Sequence, residues 1–193
     1  MKRLATLSTI FAMLALGAPL AMSSAPAGAS TNSGKFCSAA EHSLAVMEPV
    51  TNTLSAILNG AFGSIGSSST TLSASQLKTD RTKAISQTKT LIVHLSTYAA
   101  SLPPVVALAP SGVLREAFSW DATYAKDAVT LEKAALARYE ALPTSPTSTE
   151  YTASVTAGAP GLEALSGSVS GFIKYKTATT ALKTACPALA GSS

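Results

Sequence analysis

The sequence predicts an all-α fold, an up-down-up-down four-helix bundle with its termini joined by one disulfide, preceded by a cleaved signal peptide. Three observations predict it. Apolar residues recur at three- and four-residue spacing along most of the chain beyond residue 34. The two cysteines, Cys37 and Cys186, lie near opposite ends of that helical stretch. The N-terminus has the three zones of a secretory leader.

Lys2 and Arg3 supply the positive start, Leu4 to Leu20 an apolar stretch interrupted by Ser8 and Thr9, and small residues continue through Ala29. Two cuts fit small residues at −3 and −1: after Ala25-Pro26-Ala27 or after Ala27-Gly28-Ala29. The second has no proline beside it, which makes residues 1–29 the leader and 30–193 a single helical domain. The apolar run is short for a span of ~20 residues, so a retained membrane anchor fits less well.

The first predicted helix covers about residues 35–59, with Phe36, Ala40, Leu44, Met47, Leu54 and Leu58 on one side. Pro49 should bend or break it near Glu48, and Asn59-Gly60 should stop it. The second covers about 74–101. Ser73 and Gln76 form a capping box, and Leu77, Ala84, Thr88, Leu91, Leu95, Tyr98 and Leu102 repeat up to Pro103-Pro104. The third covers about 112–142, with Leu114, Phe118, Asp121, Ala125, Ala128, Ala135, Tyr139 and Leu142 inward and Trp120, Tyr124 and Leu131 widening the stripe.

Thr147 and Glu150 form a second capping box, opening a short helical piece that Ala159-Pro160-Gly161 should interrupt. The last helix then covers about 161–190, with Leu165, Val169, Phe172, Tyr175, Ala178, Leu182 and Ala185 inward. Four helices of ~35 to 47 Å are similar enough to stack side by side. An even number of antiparallel helices also returns the last one to the end where the first began, as a Cys37–Cys186 bridge requires. A redox or metal role for the thiols is disfavoured, since neither Cys-x-x-Cys nor a histidine at ligand spacing occurs.

Composition narrows the function. The chain has 14 Lys and Arg against 10 Asp and Glu, and removal of Lys2 and Arg3 leaves twelve cations against ten acids, a balance of +2. Without a basic stripe, this charge offers no footprint for nucleic acid. No uninterrupted apolar run beyond residue 30 reaches membrane-span length; the nearest, Leu91 to Ala109, contains His94, Ser96, Thr97 and Pro103-Pro104. Motifs of nucleophile elbows, phosphate loops, zinc proteases and di-iron bundles are absent. Gly167-x-x-x-Gly171 reads most simply as close packing within the bundle.

The disulfide end is the expected working surface. His42 and His94 fall near one level if the first two helices pair antiparallel, with Tyr98 one turn beyond His94. Two histidines and a tyrosine would suit haem or a transition metal, but the phase of His42 points it outward, so boundary histidines and no bound cofactor are the stronger expectation. The segment Leu102 to Pro110, with Val105 and Leu108, is either a lid over the core or an exposed docking patch. Asp121 on an apolar stripe needs a partner, with Arg81 or Lys83 as candidates. Ser/Thr/Pro-rich segments at 63–74 and 143–149 read as flexible connections or as acceptors of O-linked sugars, and no Asn-x-Ser/Thr sequon occurs.

The layout resembles that of small secreted helical proteins of bacteria, haem carriers among them, and carries over no residues. The reading is an exported protein of envelope or extracellular location, a non-enzymatic module binding an unidentified protein or small apolar ligand. The alternatives are a secreted carrier of haem or an apolar small molecule, and an enzyme gathering Asp121, a histidine and a hydroxyl into one cleft.

Overall fold

Leucine, alanine and small hydroxyl residues at three- and four-residue intervals give each segment one apolar face, which becomes stable only when covered. A computed structural model describes residues 31–57, 72–166 and 169–190, and the side chains of 32–57, 72–157 and 177–189. The leader, the segment 63–71 and the side chains of the expected inward residues Leu165, Val169, Phe172 and Tyr175 fall outside what is described. The described backbone is helical, without strands: α1 (Thr31–Ile57), α2 (Ala74–Leu108), α3 (Gly112–Ala141), α4 (Ser148–Ser166), α5 (Val169–Ala185) and a closing 3-10 turn (Pro187–Ala190).

Helix α2 lies between α1 and α3 and packs on both. Polar contacts give the register. Ser101 Oγ sits 3.1 Å from Ser43 Oγ, and His94 Nδ1 sits 3.2 Å from the Pro49 carbonyl, so α1 and α2 run antiparallel. Arg81 Nε donates to the Leu142 carbonyl at 3.1 Å, while Tyr98 bonds Asp121, so α2 and α3 are antiparallel too. Cys37 and Cys186 are bonded, with their Cα atoms 5.6 Å apart, and the bridge ties the start of α1 to the end of α5.

Two apolar cores result. The larger gathers Phe36, Val50, Leu91, Leu102, Val105, Leu114 and Phe118 with Ala178 of α5, and Phe36 meets Phe118 edge-on at 6.0 Å. The smaller gathers Leu77, Ala84, Tyr139, Tyr151 and Val155. Leu77 lies 17 residues before His94, about 25 Å along the helix, whereas α1 reaches Ile57 only one turn past its Thr53–His94 contact. The smaller core is thus built by the first turns of α2, the last turns of α3 and the start of α4.

Several boundaries differ from expectation. Pro103-Pro104 does not end α2, which continues to Leu108. Both rings face solvent, so the carbonyls of Ala99 and Ala100, deprived of their donors, are left to water. Burial of Leu102, Val105 and Ala109 holds the extra turns down. Pro49 likewise sits exposed within an unbroken α1. Pro160-Gly161 does not interrupt α4, which runs from Ser148 to Ser166, so the span expected as one last helix is divided between α4 and α5.

The caps explain the starts. Ser73 Oγ accepts the Gln76 N–H at 3.2 Å, but the Gln76 side chain turns away to Asp80, so only half of that capping box forms. At α4 both arms form: Thr147 Oγ1 accepts the Glu150 N–H, and Glu150 Oε2 accepts the Thr147 N–H at 2.7 Å. Those bonds hold the Glu150 carboxyl below its ordinary range.

Candidate functional site

The disulfide end shows where the expected site residues go. Val105 is fully buried and Leu108 half-buried, so Leu102 to Ala109 closes the core instead of forming an exposed patch. The connection to α3 shrinks to Ala109, Pro110 and Ser111, whose Oγ caps the Leu114 N–H at 3.3 Å. His42 lies exposed on α1. His94 is half-buried, with Nδ1 3.2 Å from the Pro49 carbonyl and 3.1 Å from Thr53 Oγ1. The carbonyl can only accept, which assigns a proton to Nδ1.

The two histidines do not share a level. His42 neighbours the Ser43–Ser101 contact, while His94 pairs with Pro49, two turns along α1. The difference arises because the end of α1 does not lie level with the start of α2: Thr53, one turn before Ile57, meets His94, which is 20 residues past Ala74. Tyr98 is buried on the inner face of α2 and gives its hydroxyl to Asp121. His42, His94 and Tyr98 therefore do not converge on one point. Among the described residues, no group of three or more His, Cys, Asp and Glu side chains is placed to hold a metal ion.

Asp121 has neither Arg81 nor Lys83 as its partner. Arg81 instead donates to the Leu142 and Glu140 carbonyls at 3.1 and 3.2 Å, neutralising the C-terminal end of α3. Asp121 is left with the Tyr98 hydroxyl, and burial pushes its carboxyl up to about 7 against that bond. Next to it, Trp120 and Tyr124 stack with ring centroids 5.3 Å apart. Burial, and then the charge of Asp121, raises the Tyr124 hydroxyl as well.

Toward the other end lie several buried polar groups, spread over two turns of α2 and the helices beside it, that the sequence reading missed. Asp80 is 4 % exposed, and its Oδ1 accepts from Gln76 at 3.0 Å while Oδ2 has no partner. Tyr151 is wholly buried with its hydroxyl unpartnered, and Gln87 Oε1, Arg138 Nε and Ser154 Oγ are also buried without partners. Burial pushes Glu132 up to about 7, with Arg138 opposing, and Tyr139 up to about 12. Tyr151 is raised by burial first, then by Tyr139 and Asp80. Compared with known proteins, the chain matches no family model, no curated protein and no solved structure. Function must come from the chain's own chemistry.

Some of these groups were legible. Phe118, Ala125, Glu132 and Tyr139 recur every seven residues, which puts Glu132 on the buried stripe. Asp80 falls three residues after Leu77 and four before Ala84, the same signal. Tyr151 and Ser154 carried no such mark, because α4 read as a short piece interrupted at Pro160.

Proposed function

We propose that residues 1–29 direct export and that residues 30–193 act outside the cytoplasm as one up-down-up-down helical bundle, a non-enzymatic binding or interaction module. The observation that carries this reading is the Cys37–Cys186 bond, since a protein disulfide of this kind belongs to an oxidising compartment. The antiparallel registers of α1, α2 and α3 support the bundle, with α4 and α5 together forming its fourth arm.

The test is native mass spectrometry of the protein recovered from its producing cells and medium. The expected species is a processed chain beginning at residue 28 or 30, with oxidised thiols and no retained small molecule. A full-length, reduced chain confined to the cytoplasm would sink the export reading.

A carrier is the second reading, favoured by the buried polar groups of Asp80, Gln87, Arg138, Tyr151 and Ser154. Unpartnered buried polar atoms are stabilised by an enclosed water or small guest. On this reading the seat lies opposite the disulfide, and a polar molecule suits these groups better than haem or an apolar one. A native mass above the oxidised chain, collapsing on denaturation, would put the carrier ahead.

A further inference from the structure

The α3–α4 connection is rich in proline and hydroxyl residues. Between Ala141 and Ser148 the chain reads Leu142-Pro143-Thr144-Ser145-Pro146-Thr147, and Ser148 and Thr149 follow in the first turn of α4. Both ends of the connection are clamped. Arg81 holds the Leu142 and Glu140 carbonyls, Pro146 is buried, and the Thr147 backbone and hydroxyl are tied to Glu150. What projects is the middle: Pro143, Thr144 and Ser145 are all exposed.

The hydroxyls of this segment are not equivalent. Thr147 Oγ1 donates to Glu150 Oε2 at 2.8 Å and accepts the Glu150 N–H, so its oxygen is committed to the cap. Ser148 and Thr149 lie on helical backbone, which does not thread an extended-peptide cleft. Thr144 and Ser145 lie outside any helix, and their hydroxyls bond nothing among the described residues. Pro143 fixes its own φ, and Pro146 biases Ser145 towards extended backbone. A transferase that grips non-helical chain finds an exposed bend at these two residues.

We propose that Thr144 and Ser145 are acceptor sites for O-linked sugar, taken from a hexose carried on a polyprenyl phosphate. The Ser or Thr oxygen attacks the anomeric carbon, and the carbon–oxygen bond to phosphate breaks. The lipid phosphate leaves with the bonding pair, and the hydroxyl proton passes to a base of the transferase. The product is a glycosidic bond on the exposed middle of a loop whose ends border the smaller core. This assignment rests on the export reading, because the lipid-linked donor and its transferase meet the chain as it crosses the membrane.

The experiment is intact-mass analysis of protein from the native producer, with electron-transfer fragmentation of the peptide spanning residues 139–157. The expected result is a processed N-terminus and hexose increments on Thr144 or Ser145. The increments on this peptide are lost in the T144A/S145A double variant, whose secretion is unchanged. A processed, exported chain with this peptide bare overturns the sugar assignment alone, as does phosphate on Ser145 or sugar confined to Ser148 and Thr149. A chain found only inside the cell with residues 1–29 intact overturns both readings.

Discussion

Asp121 and Glu132 stand three helical turns apart on α3, each with its carboxyl raised to about 7 by burial from ordinary values of 3.8 and 4.5. The unfolded chain ionises both groups near their ordinary values, whereas the folded chain holds its protons until about pH 7. Between those limits the native state binds more protons, so stability falls as pH rises from about 4 to 7 and then levels. The variant D121N/E132Q should flatten that fall and be more stable at pH 8, by up to about 3 kcal/mol in urea titrations. An unchanged pH profile would mean that neither carboxyl is protonated in the fold. Tyr151 presents the neutral counterpart, a wholly buried hydroxyl without a partner. Y151F should raise stability by about 1 kcal/mol, because only an unmet polar group is removed. A loss of stability instead would reveal a guest bonded to that hydroxyl and favour the carrier.

Among the elements, α2 shows how far the sequence can be read. Every inward position expected from Leu77 to Leu102 is buried, because a 35-residue helix covered on two sides leaves little choice of face. The end of α2 was misread. Two prolines signal a stop, yet Tyr98, Leu102, Val105 and Ala109 continue the same stripe, and burial of those side chains outweighs the lost backbone bonds. The relative level of the histidines was hidden for another reason, since it depends on how far α2 begins before the end of α1. Pro104→Ala should restore a donor to the Ala100 carbonyl and raise stability by about 1 to 2 kcal/mol, the helix gain being partly offset by a freer unfolded chain. A destabilised P104A would show that the ring itself is packed. The closing of α3 by Arg81 was not legible, because that arginine reaches carbonyls that only the folded register brings near.

For the whole molecule the sequence told most about covalent topology. Two cysteines and helical periodicity predicted the pairing that the structure contains. The division into two cores was hidden, because it follows from the lengths of the helices and from how far α2 runs beyond α1. Replacing both cysteines with serine should lower stability by about 4 to 5 kcal/mol, the loop-closure entropy returned to the unfolded chain, as read by urea unfolding with and without reductant. The loss should be felt first by α1 and α5, whose chain ends the bond joins. Smaller-core protection in hydrogen exchange should survive longer, since α2, α3 and α4 build that core without either cysteine.

The bridge also sets an order of events. Cys37 and Cys186 are separated by 149 positions. On the proposed export, a chain crossing the membrane from its N-terminus delivers the first thiol long before the second. Until the closing turns emerge, Cys37 has no correct mate within its own chain, and it is open to oxidants or to a neighbouring copy. On that proposal, formation of the native bond reports that translocation has reached residue 186. A nascent chain stalled short of that point would be recognisable by its single unsatisfied sulfur.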